Sequence, residues 1–167
     1  RAAAGTEGGV NDMTDAGPGP GHKLLDGRTV LVTAAAGTGI GYSTAERCIA
    51  EGARVVISDA HERRLGEAYE QLGDGVAAAI PCDVTVEEQV QALFAGAAAA
   101  LGEVDVVVNN AGLGGTADVV DMTDEQWAKV LDVTLNGTFR IFRVERSGTP
   151  DVLEHALLLT FTHNFYR

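Results

Sequence analysis

The sequence predicts a doubly wound α/β fold, a parallel sheet with helices on both faces. Three observations predict it. Short apolar, β-rich runs recur at 29–33, 54–58, 76–81 and 104–108. Helical patterns separate them, at about 42–51, 62–72, 86–101 and 123–142, and strands joined by crossovers of that length pair in parallel. Consecutive positions in the runs are apolar, as in Val55-Val56-Ile57 and Val106-Val107-Val108, which suits strands covered on both faces. The right-handed crossover rule then leaves a doubly wound fold as the leading choice, with an expected strand order of 3-2-1-4.

The chain opens on 1–26, RAAAGTEGGVNDMTDAGPGPGHKLLD, where Gly, Pro and Ala dominate and no helical or strand period appears. Such a stretch buries too little to offset its ordering entropy and reads as a disordered, low-complexity tail. It has no basic start followed by a long apolar core, so it does not read as a secretory signal. The first residue, Arg1 rather than Met, reads as a fragment, a processed chain or an imperfect gene model. The domain proper is expected over 27–143, and 144–167 forms a separate tail.

The first strand runs into Thr33-Ala34-Ala35-Ala36-Gly37-Thr38-Gly39-Ile40-Gly41, directly before the first helix. In a doubly wound sheet that is where a dinucleotide's pyrophosphate binds, on the unpaired N–H groups and partial positive charge of the helix start. Gly37, Gly39 and Gly41 give the backbone freedom to approach phosphates, and Ile40 lies between the last two. A plain tight turn explains the same residues. The second strand ends at Asp59, 18 positions after Gly41, close to the spacing at which this fold places an acid for ribose hydroxyls. That carboxylate would repel a 2′-phosphate, which favours NAD over NADP. Asp59 also fits a helix N-cap, and Arg63 and Arg64 follow on a polar helix start, where solvated side chains are expected. Gly52 and Gly73 stand where helices end, and Thr123 with Gln126 forms a capping-box pattern.

Composition bounds the partners. The 167 residues carry a net charge of −12, which disfavours nucleic acid and anionic membrane surfaces. No run approaches 18 uninterrupted apolar residues, so no membrane span is expected. Cys48 and Cys82 stand far apart without a CxxC pair, fitting a reducing compartment, so a cytoplasmic location is expected. The four histidines, His22, His61, His155 and His163, show no metal-site spacing, and no metal is predicted.

The fourth strand runs into Asn109-Asn110-Ala111-Gly112. With the glycine turn, Asp59 and CDVT at 82–85, it resembles the short-chain dehydrogenase/reductase family. The resemblance covers about Gly27 to Arg143 and implies a Rossmann-type sheet, truncated after about the fourth βα unit. It implies a nicotinamide dinucleotide as cofactor and hydride transfer between that cofactor and an alcohol or ketone. Gly39 and Gly41 match the last two glycines of the family's phosphate turn, and Asp59 its ribose-binding acid. Asp83 and Val84 match the pair contacting adenine. Asn109, Ala111 and Gly112 match the residues that hold the neighbouring strand and line the ribose. The family's first glycine falls here on Ala34 or Ala35, where alanine serves only with negative φ. The wording TAAAGTGIG with SDAHERRL resembles a bacterial subgroup acting on ring-hydroxy acyl-CoA compounds in steroid breakdown. Family homo-oligomers pair partly through the helix after the fourth strand.

The resemblance also implies a catalytic Tyr with a Lys four residues on. The lysines are Lys23 and Lys129, preceded four residues earlier by Gly19 and Glu125, so no catalytic residue is assigned. Thr134 stands where the family commonly has Asn. Ser147 lies in a turn-forming stretch and is not read as the family's Ser; His155 and His163 are weak acid/base candidates. A frameshift, splice read-through or assembly break near 143–146 is the expectation, with a short tail covering the sheet as the alternative. The segment 156–162, ALLLTFT, is then the candidate cover for the fourth strand's open edge. Three readings follow: the cofactor-binding half of an oxidoreductase, a non-catalytic dinucleotide-binding or scaffolding protein, or an unstable truncated product.

Overall fold

A computed structural model describes residues 19–114, 117–146 and 157–160. Residues 1–18 and the candidates Ser147, His155 and His163 lie outside them. The element order is β1 (Thr29–Val32), α1 (Ile40–Ala50), β2 (Arg54–Asp59), α2 (Glu62–Leu72), β3 (Val76–Pro81), α3 (Glu87–Leu101), β4 (Val106–Asn109), α4 (Asp124–Leu131), α5 (Gly137–Arg146) and β5 (Leu157–Thr160). The strands form one sheet in the order β3-β2-β1-β4-β5, all neighbours parallel. This contains the order 3-2-1-4 and adds a strand. Val106 to Asn109 pair with Leu157 to Thr160, so β5, drawn from the 156–162 segment, lies along the edge of β4.

The consecutive apolar residues divide between two cores because strand side chains alternate. Leu31, Val56 and Val107 face α3 and α5, joining Val90, Leu93, Phe94, Ile141 and Val144. Val30, Val32, Val55, Ile57 and Val108 face the other way, against Ala45 of α1 and Leu65 and Ala68 of α2. Most of these side chains are fully buried, and each contributes on the order of 1.5–3 kcal/mol relative to exposure. The sheet is thereby fixed between two helical layers, with its C-terminal strand ends held open to form a site.

Two elements depart from the sequence reading. The segment Gly21 to Asp26, read as tail, is docked on the end of α1. The buried Glu51 carboxylate accepts the His22 and Leu24 N–H groups at 2.7 and 3.1 Å, and the Leu25 N–H donates to the Glu51 carbonyl at 3.0 Å. Arg47 completes the clasp by pairing with Glu51. Specific hydrogen bonds hold a segment whose composition gave no such signal. The second departure is the helix expected over 123–142. Its start carries the expected capping box of Thr123 and Gln126, but Asp132–Asn136 forms a π-helical turn that divides it into α4 and α5.

Candidate functional site

The C-terminal ends of β1, β2 and β4 meet at the glycine turn. Thr33, buried at the end of β1, accepts on its Oγ1 the N–H groups of Asn110 and Ala111, at 2.9 and 3.0 Å. Asn110 Nδ2 returns two bonds, to the Thr33 and Ala34 carbonyls at 3.2 and 3.0 Å. The glycine turn and the Asn-Asn-Ala-Gly segment are thus clasped by reciprocal hydrogen bonds. Gly41 sits under the clasp: an added Cβ would lie 2.3 Å from Ala34 O and 2.6 Å from Asn110 Nδ2. Glycine is required there for close approach, and Gly37 is required for its φ of +83°.

From β2, Asp59 holds the same turn. Its Oδ2 accepts the Ala36 N–H at 3.1 Å and its Oδ1 the His61 N–H at 2.9 Å, while the Ala35 N–H donates to Ser58 O at 3.0 Å. Each carboxylate oxygen keeps lone-pair capacity for another donor. Of the two alanines at the family's first glycine position, Ala34 does not meet the negative-φ condition: its φ is +49°, in the left-handed region, whereas Ala35 has no positive φ. The left-handed conformation costs an L-residue roughly 1 kcal/mol; the Asn110 amide donating to the Ala34 carbonyl and the Ala35 N–H donating to the Ser58 carbonyl hold Ala34 there.

At the start of α1 the N-cap is Gly39, which supplies no side-chain acceptor, and the first turn carries no acidic residue. Its N–H groups are therefore open to an anion. Beside the turn lies a cleft of about 420 Å³ lined by Asp59, Arg64, Asp83, Val84, Ala111, Gly112, Leu113, Lys129 and Val133, among others. Of the residues singled out from sequence, Asp59, Asp83, Val84, Ala111 and Gly112 come together on this cleft. Gly39 and Ile40 instead border a shallow depression outside α1. Gly41 is packed beneath the turn. Asn109 is buried and donates to Thr138 Oγ1 at 2.8 Å, tying β4 to α5. Arg63 pairs with Glu67 at 2.6 Å and is solvent-exposed, as anticipated. Arg64 is exposed as well, and it stands at the rim of the cleft.

Asp83 is shaped by its own turn. Its Oδ1 accepts the Thr85 N–H and hydroxyl at 2.9 and 2.8 Å. Cys82, beside it, is buried. Burial, aided by the negative charge of Asp83, pushes its thiol up to about 12, so it is held as an unreactive thiol. Next to Gly112 and Leu113, Thr134 Oγ1 accepts the Leu113 N–H at 3.1 Å and lies 3.4 Å from Leu113 O.

The functional residues missed in sequence are Thr33 and Asn110. Both act on backbone groups, and the Asn-Asn-Ala-Gly pattern marked their neighbourhood without showing which asparagine faces the turn. No helix among the described residues is long and apolar enough to cross a membrane.

Comparison with known proteins agrees with this geometry. Residues 34–151 match the family model described as Enoyl-(Acyl carrier protein) reductase. The chain is 58% identical over 126 residues to a Mycobacterium tuberculosis reductase, covering 74% of this chain and 48% of that protein. That relative is named "(5R,7aS)-5-hydroxy-7a-methyl-1-oxo-2,3,5,6,7,7a-hexahydro-1H-indene-carboxyl-CoA reductase". A crystal structure of a short chain dehydrogenase from Mycobacterium smegmatis superposes with a TM-score of 0.71 at 57% identity, over 75% of this chain and 53% of that one. The 3-ketoacyl-(acyl-carrier-protein) reductase from Brucella melitensis, complexed with NADH, superposes with a TM-score of 0.67 at 31% identity, over 71% of this chain and 49% of that one. The chain spans about half the length of these relatives. Its parallel sheet, clasped glycine turn and family match together place it in the short-chain dehydrogenase/reductase family.

Proposed function

We propose that this chain is the dinucleotide-binding half of a cytoplasmic oxidoreductase that uses NAD in preference to NADP. The observation that carries the reading is the convergence on one cleft of Asp59, Thr33 and Ala34 at the head of the glycine turn, and Ala111 and Gly112. The residues fit such a cofactor. Val84, Ala111 and Val133 give the cleft apolar walls for a flat ring, Asp59 offers acceptors for ribose hydroxyls, and the open N–H groups of α1 suit phosphates. When bound, the cofactor supplies hydride donation or acceptance. This chain's residues orient it: Asn110 and Thr33 fix the turn, and Asp59 fixes its distance from β2.

The parent reaction is hydride exchange with an alcohol or ketone. The relative from Mycobacterium tuberculosis and the TAAAGTGIG wording support a bicyclic hydroxy or oxo acyl-CoA as the substrate class. Exposed Trp127, Leu135, Phe139 and Phe142 along α4 and α5 support pairing of two copies. No tyrosine of the sequence has a lysine four residues on, which supports cofactor binding without turnover by these 167 residues. Isothermal calorimetry with NADH and NADPH tests the reading. One NADH per chain, bound more tightly than NADPH, is expected; a folded chain that binds neither refutes it. Oxidation of alcohols at ordinary enzyme rates would refute the absence of turnover.

A further inference from the structure

We propose that Arg140 is a positioning residue for the dinucleotide cleft, acting through Asp132 and the main chain of Val84; this rests on the dinucleotide reading above. The π-helical turn at Asp132–Asn136 is the starting observation. There the Gly137 N–H donates to the Asp132 carbonyl, five residues back rather than four, and such turns mark sites where a helix is re-aimed. Arg140 lies eight residues beyond Asp132, about 12 Å along an ideal α-helix. Its side chain nevertheless runs back toward the helix start, the direction helical side chains prefer. Nη2 donates to Asp132 Oδ1 at 2.9 Å. Nη1 donates to the Asp132 carbonyl at 3.4 Å and to the Val84 carbonyl at 3.3 Å. One mostly buried guanidinium therefore joins the turn in the helix to the loop after β3.

That loop is a wall of the cleft. Val84 is nearly buried and seats against Gly137, where an added Cβ would lie 2.7 Å from Val84 Cγ2. Hydrogen bonds within the loop, from Thr85 to Asp83 and from the Asp83 N–H to Gln89 Oε1, set its local shape. They do not set its distance from the helix that carries Val133, on the facing part of the cleft. Arg140 and the missing Cβ of Gly137 do. A planar guanidinium with several fixed donors can hold a carboxylate and two carbonyls together, which a point-like ammonium cannot do with the same geometry. Arg140 touches no ligand in this arrangement; it fixes the separation of the surfaces that would.

The test measures NADH and ADP-ribose affinity by calorimetry for the full chain and for Arg140→Gln, Asp132→Asn and the double variant, each checked for folding by circular dichroism. Each single change is expected to weaken both ligands by about three- to thirty-fold. The double change should be no weaker than the poorer single one, because both remove the same link. Partial recovery of affinity in Arg140→Lys is also expected, which a purely structural role would not produce. Affinities of the folded single variants within about twofold of the parent, or losses that simply multiply in the double variant, would overturn the proposal. Where Arg140→Gln does not fold, Asp132→Asn is judged by the same limits. A parent chain that binds neither ligand refutes the dinucleotide reading and this role with it. A parent that binds with variants unaffected refutes this role alone.

Discussion

The side-chain amide of Asn110 stands where a Cβ of Gly41 would go: the two are separated by only 2.6 Å of hypothetical contact, and the Ala34 carbonyl lies closer still at 2.3 Å. One asparagine from the end of β4 and one glycine from the start of α1 thereby set how closely helix and sheet approach. Gly41→Ala should lower stability by about 2–4 kcal/mol, since neither the backbone oxygen nor the doubly bonded amide can move freely. Urea unfolding checks the loss, and NADH affinity should fall with it. A variant as stable as the parent would show that the turn is looser than its hydrogen bonds imply.

Ala34 bends the other way. With φ at +49°, Ala34→Gly removes strain but adds unfolded-state freedom, and the two partly cancel. A net stabilisation of about 0.5 kcal/mol is expected. Ala34→Val, β-branched at the same φ, should destabilise by more than about 1 kcal/mol. Chemical denaturation of the pair checks the sign; a reversed order would contradict the left-handed conformation.

Much of this architecture is legible in the sequence. The alternation of apolar runs with helical segments is enough to give a parallel doubly wound sheet, because parallel pairing and crossover handedness leave few choices; the order β3-β2-β1-β4 is the one expected of a dinucleotide-binding sheet. Asp59 is legible because the fold places an acid at that strand end. Other features are not, for physical reasons. Thr33 and Asn110 bond to main-chain atoms, and no periodic pattern reports the partner of a short polar side chain. Glu51 gathers the N–H groups of His22 and Leu24, so a glycine- and proline-rich approach is ordered by a carboxylate 27 or more residues away. A π-turn adds a residue without breaking the apolar stripe, so Asp132–Asn136 looks like uninterrupted helix until the backbone is seen.

Cofactor choice turns on Asp59. Asp59→Asn keeps the side chain's size while removing the charge that a 2′-phosphate would meet, and Arg64 already lines the same cleft. The ratio of NADPH to NADH affinity should rise by roughly tenfold, the scale of one partly screened like-charge contact. Paired titrations with the two reduced cofactors check this. An unchanged ratio would mean that the carboxylate serves the turn alone.

Stability should depend on acid through Asp105. Burial pushes its carboxyl up, but the Thr29 N–H and hydroxyl, each at 2.8 Å, and the Arg28 guanidinium outweigh burial and hold it below its ordinary value. Glu51 is held low as well, first by the Leu24 N–H and, despite some desolvation, by those of His22 and Arg47. A depressed folded value means the unfolded state takes up protons first. The stabilisation is therefore complete above the unfolded carboxyl range near pH 4, and is lost as pH falls through the folded values. Asp105→Asn should be less stable than the parent at pH 7, with the gap closing as pH approaches about 3. Urea midpoints across that range check it; a gap that widens on acidification contradicts the assignment.

The most direct measurement is a backbone-resolved NMR titration of the ¹⁵N-labelled chain with NADH. Shifts concentrated at Gly37 to Gly41, Asp59, Asp83 to Val84 and Ala111 to Gly112, saturating at one equivalent, are the predicted result. A dispersed, folded spectrum in which those amides stay still, or in which NADH moves a different surface, would contradict the account.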